Sequence, residues 1–289
     1  MTIGRQVVRS IPQPKRRATT VVASALALIG LSGCSDNWAR FGLPEPASEQ
    51  APAMGNLWNG FWITALVIGV LVWGLIFWAI IRYRAKDGDT KPPRQTRYHL
   101  PLEILYTLVP FLIVGVLFLY TIRAADEVLE HGREPDVEID VIGQKWSWTF
   151  NYHGADDPDV GVDAHNVGTL QKIPDLYLPV DKTVRFTLES ADVIHSFWIP
   201  NFYFKMDVIP GHTNSFDVTP NKIGVYDGKC AELCGEYHAA MLFKVHVVSE
   251  EDYNEYVKQL AADGSEGHIE MPNTTKHVLP VSASIQEDE

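Results

Sequence analysis

The chain has 289 residues, 46% of them apolar, which is enough for a folded core and for membrane-spanning segments as well. Its formal net charge of −12 is unevenly distributed: 12 basic and 6 acidic residues lie before or at Ile122, whereas 12 basic and 30 acidic residues follow it. This balance argues against nucleic acid as a partner of the C-terminal part and favours a basic protein partner. The chain contains only three cysteines, so disulfides are not expected to be its main source of stability.

The N-terminal segment has the pattern of an export signal. Five basic residues within the first 17 are followed by an apolar run, Ala18–Leu31, that is too short to span a bilayer comfortably. The run ends in Leu31-Ser32-Gly33-Cys34, which resembles a bacterial lipoprotein signal. We therefore expect residues 1–33 to be removed and Cys34 to become a lipid-modified N-terminus. The alternative is an ordinary signal peptide beside a free thiol.

Two apolar segments predict a transmembrane helical hairpin over residues 57–122. The first, Leu57–Ile81, contains no charged residue and is long enough to cross a bilayer with some tilt. The second, Ile104–Ile122, contains Pro110, a kink that neighbouring helices can tolerate. Residues 34–56 include three prolines and are predicted to form an extended linker ahead of the hairpin.

The loop between the two spans, residues 82–100, indicates their orientation. It contains six basic residues and only two acidic ones; the basic residues are Arg82, Arg84, Lys86, Lys91, Arg94 and Arg97. The positive-inside rule places such a loop in the cytoplasm, and both chain ends then lie outside, as an exported N-terminus requires. The sequence thus predicts a two-pass protein of the bacterial plasma membrane, in contact with lipid, with its C-terminal part outside.

Glu103 lies at the cytoplasmic mouth of the second span. A carboxylate is costly there unless it is solvated or has a partner. Two interpretations remain open: an interfacial acid that anchors the helix, or a functional group.

After Arg123 the pattern changes to short runs that alternate between apolar and polar residues, which is typical of half-buried strands. Four such runs are Val137–Val141, Trp146–Phe150, Val184–Leu188 and Phe243–Val247. Turn-forming residues separate them, so residues 123–248 are predicted to form an antiparallel β-sandwich or barrel. Residues 249–289 are predicted to begin with a short helix from Glu250 to about Ala262, capped by Ser249, and to end in a mobile acidic tail.

Soft metal ligands are concentrated in one stretch of this domain. Cys230, Cys234, His238 and Met241 lie within twelve residues, and His195 precedes them. Thiolate, imidazole and thioether groups suit a redox-active metal such as copper. A pair of thiolates can bridge two ions, with one imidazole bound to each and weak axial ligands completing the site. The alternative from the two cysteines alone is a local disulfide.

The motif Cys-x-Glu-x-Cys-x3-His-x2-Met has further matching segments upstream, Asp192–Phe197 and Lys205–Gly211. Together they resemble subunit II of haem–copper cytochrome c oxidases, over roughly Asn56–Val248. The resemblance implies two N-terminal transmembrane helices followed by an all-β cupredoxin-like barrel or sandwich with a dinuclear copper A centre on the outer side of the membrane. The implied copper ligands are His195, Cys230, Cys234, His238, Met241 and the backbone carbonyl of Glu232. The Glu232 side chain would help bind a magnesium ion at the boundary with the catalytic subunit.

The resemblance also implies a path for electrons and protons. Trp146, in Gly143–Trp148, corresponds to the residue at which electrons enter from a c-type cytochrome; an ordinary strand aromatic is the alternative. The copper centre would pass electrons to haem a in catalytic subunit I, which reduces oxygen to water and pumps protons. Glu103 corresponds to an acid at the entrance of a proton-uptake channel. The cytochrome donor is either soluble or held in a supercomplex with the other oxidase subunits.

Three other classes of protein share part of this pattern. The corresponding quinol oxidase subunit has the architecture but lacks the copper ligands, which are intact here. A copper-delivery protein needs a site that releases its metal, whereas the added histidine and methionine make this site closed. The electron-accepting domain of nitrous-oxide reductase has the copper motif, but two membrane spans disfavour it.

Overall fold

The structure is a computed structural model that describes residues 38–84, 88, 95–130 and 134–270. The predicted signal peptide, Cys34 and the tail beyond residue 270 lie outside the described residues. Residues 38–42 belong to the first of two compact units and contain a 3-10 turn, Trp38–Arg40; the second unit begins at Leu43.

Two long helices precede the β domain: α1, Ala51–Arg82, and α2, Leu100–Leu129. Within the described part of the chain, these are the two helices long and apolar enough to cross a membrane. Their apolar side chains are largely exposed, as expected for surfaces that face lipid or another membrane subunit.

The extended linker predicted for residues 34–56 is wrong at its C-terminal end, because α1 begins six residues before Leu57. Proline is favourable in a first helical turn, and the hydroxyl of Ser48 accepts a hydrogen bond from the amide of Ala51 at 3.2 Å. Hydropathy alone could not identify this start, because the first turn packs against the β domain rather than lipid: a Cβ on Gly55 would lie 3.1 Å from the Tyr203 ring.

Ten strands form two five-stranded sheets, in the orders β3-β2-β1-β5-β8 and β4-β10-β9-β6-β7. The strands are β1 Val137–Gln144, β2 Ser147–His153, β3 Ala164–Val167, β4 Asp175–Pro179, β5 Val184–Ser190, β6 His195–Ile199, β7 Phe204–Val208, β8 Asn214–Val218, β9 Gly224–Cys230 and β10 Leu242–Val248. The sheets pack face to face around an aromatic core, in which the rings of Phe197 and Phe243 stack with centroids 4.8 Å apart. The all-β architecture predicted for this part of the chain is confirmed.

The prediction that all strands are antiparallel is wrong for two pairs. β1 pairs in parallel with β5, from Val137 opposite Val184 onward, and β10 pairs in parallel with β4. The chain leaves the first sheet after β3, forms β4 in the second sheet, and returns as β5 beside β1. A period of two in the sequence indicates which face of a strand is buried but not which strand lies beside it.

β2 is buried on both faces, whereas the alternating pattern predicted a half-buried strand. Trp148, Phe150 and Tyr152 have no exposed surface. The side chain of Asn151 pairs with the backbone of Ile269 through two hydrogen bonds of 3.0 Å, so the C-terminal segment contacts this strand. A third helix, α3, spans Glu250–Leu260 and is capped by Ser249 as predicted.

Candidate metal centre

Strand pairing explains how ligand-type residues that are far apart in the sequence meet at one end of the second sheet. His195 is the first residue of β6 and Cys230 is the last of β9; these strands are neighbours, with Phe197 opposite Cys230. The chain after β9 returns as β10, which brings Met241 back beside Cys230, whose amide donates to the Met241 carbonyl oxygen at 3.0 Å. The loop between them carries Glu232, Cys234 and His238.

Cys230 makes three of the contacts in this cluster. Its Sγ lies 3.9 Å from Nδ1 of His195, 3.9 Å from Sγ of Cys234 and 3.2 Å from the carbonyl oxygen of Glu232. Both cysteines are free thiols, whereas a disulfide requires sulfur atoms about 2.05 Å apart. The local disulfide that the sequence left open is therefore absent from this pair.

Cys234 makes the matching contacts on its own side. Its Sγ lies 3.5 Å from Nδ1 of His238 and 3.7 Å from Sδ of Met241. Each cysteine therefore faces one imidazole and one weaker donor. The structure thus brings together all six groups that the sequence singled out, and the two thiols and Met241 are buried.

Asp192 holds the buried His195 in position. Its Oδ1 lies 2.8 Å from Nε2 of His195, and its Oδ2 accepts a hydrogen bond from the amide of Lys145 at 2.8 Å. A carboxylate on Nε2 fixes the ring orientation and leaves Nδ1 directed at Cys230. Through these two contacts, Asp192 also connects the segment that contains Trp146 to His195.

The two thiols differ in how readily they ionise. Burial raises the pKa of Cys230, but hydrogen bonds from His195 and from backbone amides outweigh burial and lower the pKa to about 7. Burial and the neighbouring Cys230 raise the pKa of Cys234 to about 12. One thiol of the pair therefore loses its proton easily. The second loses its proton only when a bound cation offsets the repulsion between the two thiolates.

The donor set fits copper. Two thiols, two imidazoles, a thioether and a carbonyl oxygen are soft or borderline ligands of the kind found in copper electron-transfer sites, whereas magnesium and calcium prefer oxygen ligands. The surrounding residues exclude water, because His195 and Met241 have no exposed surface.

Three residues that support the centre were not assigned a role from the sequence. They are Asp192, described above, Trp148, whose Nε1 donates to the Met241 carbonyl oxygen at 3.4 Å, and Gly143, where a Cβ would lie 3.0 Å from Cδ2 of His195. Asp192 had a weak sequence signal, because it lies three residues before a candidate ligand. Trp148 and Gly143 had no sequence signal, because a tryptophan or a glycine in a strand does not by itself indicate a metal site.

Trp146 lies directly against the loop that carries the ligands. Its Nε1 donates to the carbonyl oxygen of Cys234 at 3.2 Å, and its ring packs edge-on against Tyr237 with centroids 5.0 Å apart. Gly235 permits this approach: its φ is +124°, and a Cβ there would lie 3.1 Å from Nε1 of Trp146. The indole is half-buried, so it joins the protein surface to the backbone of a ligand-type cysteine.

Glu103 lies away from the metal centre, in the first turn of α2. Its Oε1 accepts a hydrogen bond from the backbone amide of His99 at 2.9 Å, and the His99 ring accepts one from the amide of Leu102 at 3.4 Å. This reciprocal arrangement satisfies free amide groups at the start of the helix, as a capping box does. Glu103 therefore has a structural role whether or not it also carries protons.

The fold and the site together define a membrane-anchored protein with a cupredoxin-like β domain and a cluster of copper-type ligands. Residues 137–248 match the family described as cytochrome c oxidase subunit II, periplasmic domain, and residues 36–123 match its transmembrane domain. The chain is 44% identical over 295 residues to a probable cytochrome c oxidase subunit 2 of Streptomyces avermitilis, covering 90% of this chain and 92% of that protein. It is 35% identical over 299 residues to cytochrome c oxidase subunit 2 of Mycobacterium tuberculosis, covering 85% and 82%.

Among solved structures, the periplasmic domain of subunit II of cytochrome oxidase from Bradyrhizobium japonicum is 29% identical, covers 45% of this chain and 97% of that chain, and has a TM-score of 0.39. The relatives and the two family matches place this chain in the cytochrome c oxidase subunit II family. It is accordingly a membrane-bound component of an oxidoreductase complex, with a periplasmic-type domain.

Proposed function

We propose that this chain is the electron-relay subunit of an aerobic respiratory cytochrome c oxidase and is not itself the oxygen-reducing site. One observation carries the proposal: the thiols of Cys230 and Cys234 contact each other. Each thiol also contacts one imidazole and one weaker donor. Two copper ions held by these groups would supply one-electron storage between a c-type cytochrome and haem a of the catalytic subunit. The proposed ligands are His195, Cys230, Glu232 through its carbonyl, Cys234, His238 and Met241.

The protein contributes rigidity and exclusion of water at this site. His195 is fixed by Asp192, while the backbone of Met241 accepts hydrogen bonds from Cys230 and Trp148. Ligands held by packing and hydrogen bonds keep their positions when the charge of the site changes, and this favours fast electron transfer over substrate chemistry. No side chain is needed as a general base.

Trp146 is the proposed point at which electrons enter. Trp146 is partly exposed, and its Nε1 hydrogen bond leads to the backbone of Cys234. An electron would then pass from the donor through the Trp146 ring, across the hydrogen bond to the Cys234 carbonyl oxygen, and along the covalent bonds of Cys234. The chain after Ile122 has 30 acidic and 12 basic residues, and this negative net charge would attract a basic cytochrome.

We place the β domain on the outer side of the bacterial plasma membrane, with Cys34 as the lipid-modified N-terminus after removal of residues 1–33. The basic composition of the loop between α1 and α2 supports this orientation. The Glu232 side chain is exposed, so it could share a magnesium ion with the catalytic subunit.

Removing copper tests the relay. The isolated oxidase complex, treated with a copper chelator under reducing conditions, should lose oxidation of reduced cytochrome c while still oxidising an artificial donor that reduces haem a directly. Reloading copper should restore cytochrome c oxidation. Full cytochrome c oxidation by a complex whose subunit II retains no copper would contradict the proposed function.

A pair of substitutions at Glu103 separates proton uptake from helix capping. Glu103→Gln keeps an oxygen that can accept from the His99 amide but removes the ionisable group, whereas Glu103→Ala removes both. If Glu103 serves proton uptake, both variants should lower turnover and proton uptake by the complex. Only the alanine variant should also destabilise the start of α2, by about 1 kcal/mol, measured by thermal unfolding.

Wild-type turnover and proton uptake in the glutamine variant would contradict the proton-uptake role and leave capping as the function of Glu103. The neighbouring Thr107 provides a control on the same turn, since its hydroxyl donates to the carbonyl oxygen of Glu103 at 2.8 Å. Thr107→Ala should leave turnover unchanged.

A further inference from the structure

A second group of metal-ligand side chains lies on the outer face of the first sheet. A carboxylate oxygen of Asp140 and one ring nitrogen each of His153 and His268 lie within 4.8 Å of one another. Nε2 of His153 is 2.9 Å from Oδ2 of Asp140, and the two imidazole rings meet edge to face with centroids 4.2 Å apart. A further carboxylate oxygen, Oδ2 of Asp163, lies 3.7 Å from Nε2 of His268.

This group is separate from the copper centre. His153 is the last residue of β2, whereas Trp148, five residues earlier on the same strand, contacts the ring of His195. At about 3.3 Å per residue, the two positions are about 17 Å apart along the strand. None of the proposed copper ligands belongs to the second group.

Backbone hydrogen bonds hold the group together although its members come from distant parts of the chain. Asp163 accepts from the amides of Gly154 and Ala155, both at 2.9 Å. The amide of Gly267 donates to the Asp163 carbonyl oxygen at 2.8 Å, and Nδ1 of His165 lies 2.9 Å from the Gly267 carbonyl oxygen.

The orientation of His268 is fixed as well. Its neighbour Ile269 is paired with the side chain of Asn151, and Nε2 of His268 lies 3.2 Å from the Tyr152 carbonyl oxygen. Metal-binding histidines commonly place one ring nitrogen on a backbone carbonyl or a carboxylate and bind the ion with the other, which for His268 is Nδ1. These contacts hold the side chains of the group together before any ion arrives.

The chemistry of the group fits a divalent ion of the zinc type. Two imidazoles with one or two carboxylates are typical zinc ligands, and zinc has no need of the thiolates that copper favours in the other site. The four side chains are each between 24% and 38% exposed, so an ion can enter and a water molecule can complete the coordination.

We propose that Asp140, His153 and His268 form a zinc-binding site that fastens the C-terminal segment Glu266–Glu270 to the outer face of β2, with Asp163 beside His268. This segment comes last among the described residues, and the acidic tail follows it. The bound ion joins β1 and β2 to the C-terminal segment.

Zinc binding to the full-length chain, purified in detergent with its copper already loaded, tests the proposal. Dialysis against zinc chloride followed by metal analysis should give one zinc per chain. His153→Gln and His268→Gln should each weaken zinc binding by more than about tenfold. Asp140→Asn, which keeps the shape of the side chain, should weaken it as well.

His246→Gln is the matched control, because Nε2 of His246 lies 2.7 Å from Oδ1 of Asp175 in a similar His–Asp pair, and no metal-type group that includes His246 occurs among the described residues. It should bind zinc as the wild type does. Zinc should also slow hydrogen exchange at the amides of Gly267 and Ile269 in the wild type but not in His268→Gln. Copper content and cytochrome c oxidation should be unchanged in every variant, so the outcome is independent of the relay.

Zinc binding that survives both histidine substitutions, or that falls equally in His246→Gln, would overturn the proposal. So would a wild-type chain that retains no zinc beyond its copper, since the group would then be only an ion pair between Asp140 and His153.

Discussion

Cys230→Ser and Cys234→Ser are each expected to abolish copper retention and reduce cytochrome c oxidation to background. Each thiol contacts the other thiol, one imidazole and one weaker donor. Because all three contacts are made by the same sulfur atom, one substitution removes all of them. A serine hydroxyl is a poor ligand for copper and does not ionise at neutral pH. The measurements are copper per chain and the rate of oxidation of reduced cytochrome c by the assembled complex.

The loss should not come from unfolding. Placing a hydroxyl in this buried position costs about 1–3 kcal/mol, less than the stability of a typical domain. Ser196→Ala is the matched control, because Ser196 is buried beside His195 and its hydroxyl has no partner among the described residues. It should retain copper and activity. Normal copper content in either cysteine variant would contradict the ligand assignment.

Trp146→Gln is expected to slow the reduction of the copper centre by cytochrome c by a factor of about ten or more, which corresponds to about 1.4 kcal/mol or more in the activation barrier. The substitution removes the aromatic ring that joins the surface to the backbone of Cys234, while an amide can still donate a hydrogen bond there. Rapid mixing of the reduced cytochrome with the complex measures this step. Copper content and spectrum should be unchanged.

Trp198→Gln serves as the control for loss of an indole. Trp198 is half-buried like Trp146, lies on β6 and packs against the ammonium group of Lys229, 4.6 Å from the ring centroid. It is not hydrogen-bonded to the ligand loop in the way Trp146 is, so its replacement should leave electron transfer unchanged. Equal rates in wild type and Trp146→Gln would refute the role of Trp146 as the point of electron entry into the protein.

The ligand groups could be predicted from the sequence because their chemistry is unusual. Two cysteines, a histidine and a methionine within twelve residues are rare without a common purpose, and His195 joined them through the family motif. The structure brings each of these groups within 3.9 Å of at least one other. The apolar spans and the all-β domain were predictable for a similar reason, since both leave strong periodic or compositional patterns.

The supporting residues could not be predicted because their roles depend on long-range contacts. Asp192 reaches both His195 and Lys145 only because the chain after β5 turns back, with the amide of Ala191 donating to the Gly143 carbonyl oxygen at 2.9 Å. The parallel pairing of β1 with β5 was missed because alternation reveals a buried face and not a neighbouring strand.

The group of Asp140, His153 and His268 could not be predicted either, because its members are far apart in the sequence and close only in the structure. Asp140 and His268 are separated by most of the β domain and by α3. Contacts of the C-terminal segment with Asn151, Tyr152 and Asp163 bring them together. The sequence suggested a mobile tail there, whereas the part up to Glu270 is ordered against β2.

The electron paramagnetic resonance spectrum of the copper-loaded protein, recorded together with copper per chain, tests the central claim most directly. Two copper ions per chain and a signal from one unpaired electron shared by both ions are the predicted result. A single-copper spectrum, or a protein that retains no copper with both thiols intact, would contradict the assignment of this site as a dinuclear electron relay.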